Sequence, residues 1–305
     1  MTKRSSSRRN QSLRATVRRE RLTRFQLRLS ALHAANLKAA KRAELRERRA
    51  TTKANVVEGK AFAANGSVAP WLLLPPQREY TLYVPEHLTR EALPLVVAIH
   101  GCRQSADDFQ NGTRLNEWAD REGFAVLYPD QTSFANMRRC WNWFDPNTAK
   151  GGGECAIVRA MIEIAFDRTK CDANRVYALG LSSGAALAGL LAFHFPEQFA
   201  AVAMHSGLPP LASPTIASAV IAMKRGVKVD YLALARAYWS NHAVDPPPLM
   251  VLHGDEDARV HERNATALVK AWETIYENGP DADALKREVR TFDADTVRNL
   301  AHRER

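Results

Sequence analysis

Three short stretches of this sequence hold residues that can do chemistry together. In "VYALGLSSGAALAGLL" (176–191) a serine stands in a Gly-x-Ser-x-Gly frame, Gly180 to Gly184, after a β-forming run and before small residues of helical pattern. That context mounts a serine on a sharp strand-to-helix turn and exposes its hydroxyl. Ser182 is then a candidate nucleophile, and the N–H of Ser183, opening the helix, a candidate donor to an oxyanion. The bland alternative is a tight turn in which Ser182 only caps a helix. In "AIHGCRQSADDF" (98–109), His100-Gly101 closes an apolar run, and the N–H of Cys102 can supply the second oxyanion donor. A serine hydroxyl needs a base, and the base needs an orienting acid. "VLHGDEDARV" (251–260) offers that acid in a turn after a strand. The chain order serine, acid, histidine and the His-Gly-x-x-Asp-x-x-Val spacing favour Asp257 over Asp255, against a merely solvated acidic turn.

The elements that must position these residues are legible as an alternation. Strands are expected at 80–84, 94–100, 124–129, 175–181, 199–206 and 248–254, and helices at 113–122, 155–168, 184–194 and 262–277. Apolar strands alternating with helices imply a mostly parallel sheet covered on both faces, an α/β fold. In such sheets chemistry gathers at the carboxyl ends of the strands, where all three stretches lie.

Taken in order, "LPLVVAIHGCRQSADDFQNGTRLNEWADREGFAVLYPDQ", "RCWNWFDP", "RVYALGLSSGAALAGLLAFHFPEQFAAVAMHSGLP" and "HGDEDARVHERN" resemble the polyhydroxybutyrate depolymerase-like esterases of the α/β-hydrolase superfamily, from about residue 78 to about 292. The resemblance implies an α/β-hydrolase fold and a serine esterase of short-chain polyesters or related acyl esters. Feruloyl and acetylxylan esterases are the neighbouring alternative. It carries over Ser182 as nucleophile, Asp257 as acid, and Cys102 and Ser183 as oxyanion donors. Trp141, Trp143 and Phe144 cluster in "RCWNWFDP". They are either walls of an acyl pocket, Trp141 first among them, or core, as aromatic clusters usually are.

The base is the weak point. The family resembled places its catalytic histidine in a Gly-His-x-Trp motif near the C-terminus, and this sequence has none. After Asp257 the histidines are His261, too close to the acid to span a site, and His302 in the charged run "NLAHRER". His302, recruited from an altered tail, is one reading of the base. A chain truncated or frame-shifted relative to its relatives is expected, with "LKREVRTFDADTVRNL" (285–300) opening a final strand region that lacks its partner. A chain without its base would keep an intact pocket and little activity.

The net charge of +10 does not describe the body of the protein. Residues 1–50 hold 16 Lys/Arg against 3 Asp/Glu, which leaves residues 51–305 at −3. The organisation expected is a basic, helical or disordered extension over 1–55, a linker over 56–77 and a catalytic domain over 78–305. Leu22, Phe25, Leu29 and Leu32 share one helical face within the extension. A competing class of function, a binding protein with a nucleic-acid or membrane-surface arm, rests on that charge alone. No nucleic-acid partner is expected, because no recognised module accompanies the charge. No stretch approaches the ~18 apolar residues of a membrane span. An apolar core is missing from the charged N-terminus, so no signal peptide is expected and the compartment is cytoplasmic by default, although the family resembled is often secreted. Cys102, Cys140, Cys155 and Cys171 lack metal-site spacing, and no motif supports a cofactor. Cys155 and Cys171 flank a helix too long to let them bridge. Cys102 and Cys140 sit in loops near the expected site, where a disulfide and two thiols are both open readings.

Overall fold

The computed structural model describes residues 56–63, 77–86, 92–212 and 215–280. The basic extension, residues 285–300 and His302 lie outside these residues.

Among the described residues seven strands form one sheet in the order β1-β2-β4-β3-β5-β6-β7. They are β1 (Val56–Phe62), β2 (Gln77–Tyr83), β3 (Leu93–Ile99), β4 (Ala125–Asp130), β5 (Cys171–Leu181), β6 (Ala201–His205) and β7 (Leu249–Leu252). β2 runs antiparallel to both its neighbours, and the ladder from β4 through β3, β5, β6 to β7 is parallel. Leu95, Val97, Ile99, Leu127 and Val176 have no exposed surface, as continuous apolar strands covered on both faces require.

The described helices are α1 (Ala106–Thr113), α2 (Leu115–Glu122), α3 (Gly153–Arg168), α4 (Ser183–His194), α5 (Ile216–Arg225), α6 (Tyr231–Trp239) and α7 (Arg263–Glu277). α4 is buried on every side from Ser183 to Phe193. That explains its all-round apolar, small-residue sequence. α7 is amphipathic instead, burying Asn264, Ala267, Leu268, Ala271, Trp272 and Ile275 at spacings of three and four. Among the described residues no helix is long and apolar enough to cross a membrane.

Six strands and four helices expected from the sequence are present, with ends shifted by a few residues. One expectation is corrected: the first part of the expected 56–77 linker is β1, paired with β2 along all seven residues. Ala61 is its one buried side chain, so an edge strand reading VVEGKAF gives almost no apolar periodicity. Helices α1, α5 and α6 were not anticipated either. α1 is set by its capping box, Ser105 accepting from the Asp108 N–H while the Asp108 carboxylate accepts from Ser105 N–H.

Candidate active site

The serine sits where β5 turns into α4. Ser182 has φ 55° and ψ −116°, a conformation that costs an L-residue about 1–3 kcal/mol. The surroundings impose it. The Ser182 N–H donates to the His205 carbonyl at 2.8 Å on the neighbouring strand, and its own carbonyl accepts from Ala186 N–H at 3.0 Å in the helix. Both flanking glycines are sterically required. A Cβ on Gly180 would lie 2.3 Å from the Gly184 carbonyl oxygen, and one on Gly184 2.2 Å from the Ile99 carbonyl oxygen. The N–H of Ser183 lies in the first turn of α4, where no intrahelical acceptor exists.

After β3 the chain passes through His100, Gly101 and Cys102. The Gly101 N–H donates to Gln104 Oε1 at 2.8 Å, and the Arg103 N–H to the Arg138 carbonyl at 2.6 Å. Between them the Cys102 N–H has no acceptor among the described residues. Cys102 is disulfide-bonded to Cys140, which settles the alternatives the sequence left open. Cys155 and Cys171 are free. The Cys102 sulfur lies 3.4 Å from Ser183 Oγ, which also accepts the Trp141 N–H at 3.3 Å. A disulfide sulfur carries no proton, so the Ser183 hydroxyl is the donor in the first contact. Both candidate oxyanion donors thus belong to residues in mutual contact.

The acid turn follows β7. Asp257 Oδ2 accepts from the Ser206 hydroxyl at 2.8 Å, and Oδ1 accepts from the N–H groups of Arg259 at 2.8 Å and Val260 at 2.9 Å. Partial burial would raise the carboxyl's pKa. The two N–H donors, the Ser206 hydroxyl and nearby His253 together outweigh that and hold it below the usual aspartate value. Ser206 immediately follows His205, whose carbonyl anchors Ser182, so acid and serine are carried by one point of β6. Asp255, the alternative acid, is exposed in the same turn.

Histidines near the acid have other duties. His253 Nε2 donates to the Val260 carbonyl at 2.7 Å and lies 3.7 Å from Asp257. His205 Nδ1 stands 3.2 Å from Ser206 Oγ. The His205 pKa is lowered, first by burial and then by His253, against the opposing charge of Asp257. His261 is paired with Glu262 at 2.7 Å.

The expectation of Trp141 as a pocket wall is corrected. Its ring has no exposed surface, and its indole N–H donates to the His100 carbonyl at 3.1 Å. Trp143 is 5% exposed and packs edge-on against Phe144. Both tryptophans are core. Loop tryptophans beside a site carry no sequence signal to separate lining from packing.

Sequence reasoning missed Ser206, Gln131 and Glu154. Ser206 is visible in "MHSGLP" only as one polar residue after a strand. Glu154 had a usable signal, a single acid in the first turn of an otherwise apolar helix face, and it is fully buried.

Elbow, acid turn and sheet order together define an α/β-hydrolase fold. The solved acetyl xylan esterase of Aspergillus awamori has this fold, superposing with a TM-score of 0.60 at 22% identity over 75% of this chain and 83% of that one. The family model described as "Esterase PHB depolymerase" matches residues 78–291, and the chain belongs to that family. A poly(3-hydroxyalkanoate) depolymerase C from Paucimonas lemoignei is 31% identical over 64% of this chain and 47% of its own length. A feruloyl esterase B from Neurospora crassa is 32% identical over 65% of this chain and 70% of its own. The matched part thus spans about half of the depolymerase and about two-thirds of the feruloyl esterase.

Proposed function

We infer that this chain is a serine ester hydrolase of short-chain polyesters, polyhydroxyalkanoate-like oligoesters or related acyl esters. Ser182 Oγ attacks the ester carbonyl carbon as a histidine imidazole, for which His302 is the candidate, takes its proton. The carbonyl oxygen becomes an oxyanion held by the N–H groups of Cys102 and Ser183. Collapse breaks the bond to the alkoxy oxygen, which leaves as alcohol with the imidazolium proton. Water repeats the sequence on the acyl-enzyme and releases the acid. Ionised Asp257 orients the imidazole and balances its charge in each transition state. The observation that carries this reading is the strained conformation of Ser182, enforced by two glycines that the backbone leaves no room to replace.

The test is p-nitrophenyl butyrate hydrolysis by the full chain beside its Ser182→Ala variant. Enzymatic turnover that Ser182→Ala abolishes supports the reading, and His302→Ala must then abolish it as well. A rate equal to that of Ser182→Ala overturns it. A feruloyl- or acetylxylan-type specificity is the second reading, favoured by the feruloyl esterase B match over 70% of that protein. Preference for methyl ferulate or acetylated xylan over butyrate and polyester substrates decides for it.

A further inference from the structure

The Cys102 N–H is useful to an oxyanion only if it is aimed, and its peptide is held from the opposite side. A trans peptide is planar, with its C=O and N–H pointing in opposite directions, and no cis bond is present among the described residues. The Gly101 carbonyl and the Cys102 N–H are the two ends of one such plane. His100 Nδ1 lies 2.8 Å from the Gly101 carbonyl oxygen. On the other side of the ring, the Gln131 backbone N–H donates to His100 Nε2 at 3.1 Å. A backbone N–H can only donate and a carbonyl can only accept, so Nε2 is bare and Nδ1 carries the proton. Asp130 Oδ1, at 3.5 Å from Nε2, is the longer contact. The ring is thus held from both sides and clamps the carbonyl end of the oxyanion peptide.

Gln131 is itself immobilised. Its Oε1 accepts from Arg78 Nε at 2.6 Å and Thr132 N–H at 3.1 Å, and its Nε2 donates to Glu154 Oε1 at 2.6 Å and the Cys140 carbonyl at 3.0 Å. Those four bonds are the full capacity of a primary amide. Its orientation is forced too, because Arg78 only donates and the Glu154 carboxylate only accepts. Glu154 completes the frame by taking Arg78 Nη2 at 2.9 Å, the Asn142 N–H at 2.6 Å and Asn142 Nδ2 at 2.9 Å. His100 and Glu154 are fully buried, and Gln131 is 1% exposed.

We propose that Gln131, anchored by Glu154, is the positioning residue of the oxyanion hole and sets the Cys102 N–H through the His100 ring. The same side chain holds the Cys140 carbonyl, so both ends of the disulfide are placed from one point. This rests on the esterase reading for what the N–H is aimed at, and on the described geometry for how it is held.

The test uses the full chain with Gln131→Met, which leaves the Arg78–Glu154 pair and the residue-131 N–H in place. Glu154→Gln reaches the same frame from its other end. Amide hydrogen exchange is followed in peptides spanning 99–105 and 129–133, with 176–181 as the internal reference. The expected result is exchange faster by roughly ten-fold in the first two with the reference unchanged. Equal exchange in both variants overturns the proposal. On p-nitrophenyl butyrate, loss of one oxyanion donor costs about 10²–10³ in kcat, so a misaimed donor should cost about 10–100-fold with KM nearly constant. A variant with lowered thermal stability but parental kcat assigns the network a structural role only and overturns it. If the parent itself shows no Ser182-dependent turnover, the esterase reading fails, and the exchange result alone decides this proposal.

Discussion

Ser206 donates its hydroxyl proton to Asp257 Oδ2 across 2.8 Å, joining the end of β6 to the acid turn after β7. The preceding residue, His205, accepts the Ser182 N–H through its carbonyl. One strand end therefore fixes the serine with its main chain and the acid with the next side chain.

Ser206→Ala should weaken that coupling. Asp257 keeps its two backbone donors and loses the hydroxyl, so its depressed pKa moves up toward the ordinary aspartate value. The acid limb of the kcat/KM profile should shift to higher pH. A depressed carboxyl contributes stability that is present above its unfolded pKa of about 3.9 and is lost as pH falls through the folded value. The stability margin of parent over variant should accordingly be full at neutral pH and shrink below about pH 4. Urea midpoints measured across pH 3–7 check it, and a margin that grows on acidification contradicts it.

Two glycines should respond in opposite directions to the same methyl group. Gly184→Ala places a Cβ against the Ile99 and His100 carbonyls, which are backbone and cannot yield. We expect destabilisation of about 3 kcal/mol or more, the range of severe overpacking, and loss of Ser182 reactivity. Gly112, inside α1, has nothing within 4 Å of the added carbon. Gly112→Ala should stabilise by about 0.5–1 kcal/mol through helix propensity. Thermal melts of the two variants provide the comparison.

What the sequence made legible follows from what leaves a mark in it. Gly180, Ser182 and Gly184 were found because close backbone approach admits no side chain, and that restriction is written as residue type. The buried parallel strands were found because both their faces are apolar. β1 leaves no such mark, because an edge strand buries one side chain and needs no periodicity. The Cys102–Cys140 bond stayed open because a separation of 38 residues carries no pairing signal. Ser206, Gln131 and Glu154 were missed because a hydrogen-bond network is a property of approach between distant segments. Gln131 and Arg78 lie 53 residues apart, and Arg78 and Glu154 lie 76 apart.

The disulfide should contribute to stability more than its one bond suggests. It closes a 38-residue separation, for which the chain-entropy model gives about 4 kcal/mol at 25 °C. The Cys102→Ser/Cys140→Ser double variant, or the parent in dithiothreitol, should lose about 2–4 kcal/mol in urea unfolding. The fully buried Cys155, whose thiol pKa burial pushes far up, should stay unreactive to iodoacetamide in the folded parent. Its labelling at the rate of an exposed thiol would contradict the burial described.

Trp141 offers the sharpest distinction between a packing residue and a substrate wall. It is fully buried, and its indole N–H meets the His100 carbonyl. Trp141→Phe keeps most of the ring and deletes that donor, leaving a buried carbonyl with one partner fewer. The cost should be about 1–3 kcal/mol of stability, the penalty for an unsatisfied buried polar group. Relative rates on p-nitrophenyl acetate, butyrate and octanoate should keep their order and ratios, because no part of the ring reaches the surface. A stability unchanged from the parent together with a shift in chain-length preference would restore Trp141 as a wall of the acyl pocket. Such a result would require the loop from Cys140 to Phe144 to open when substrate binds, against the hydrogen bonds that Glu154 makes to Asn142.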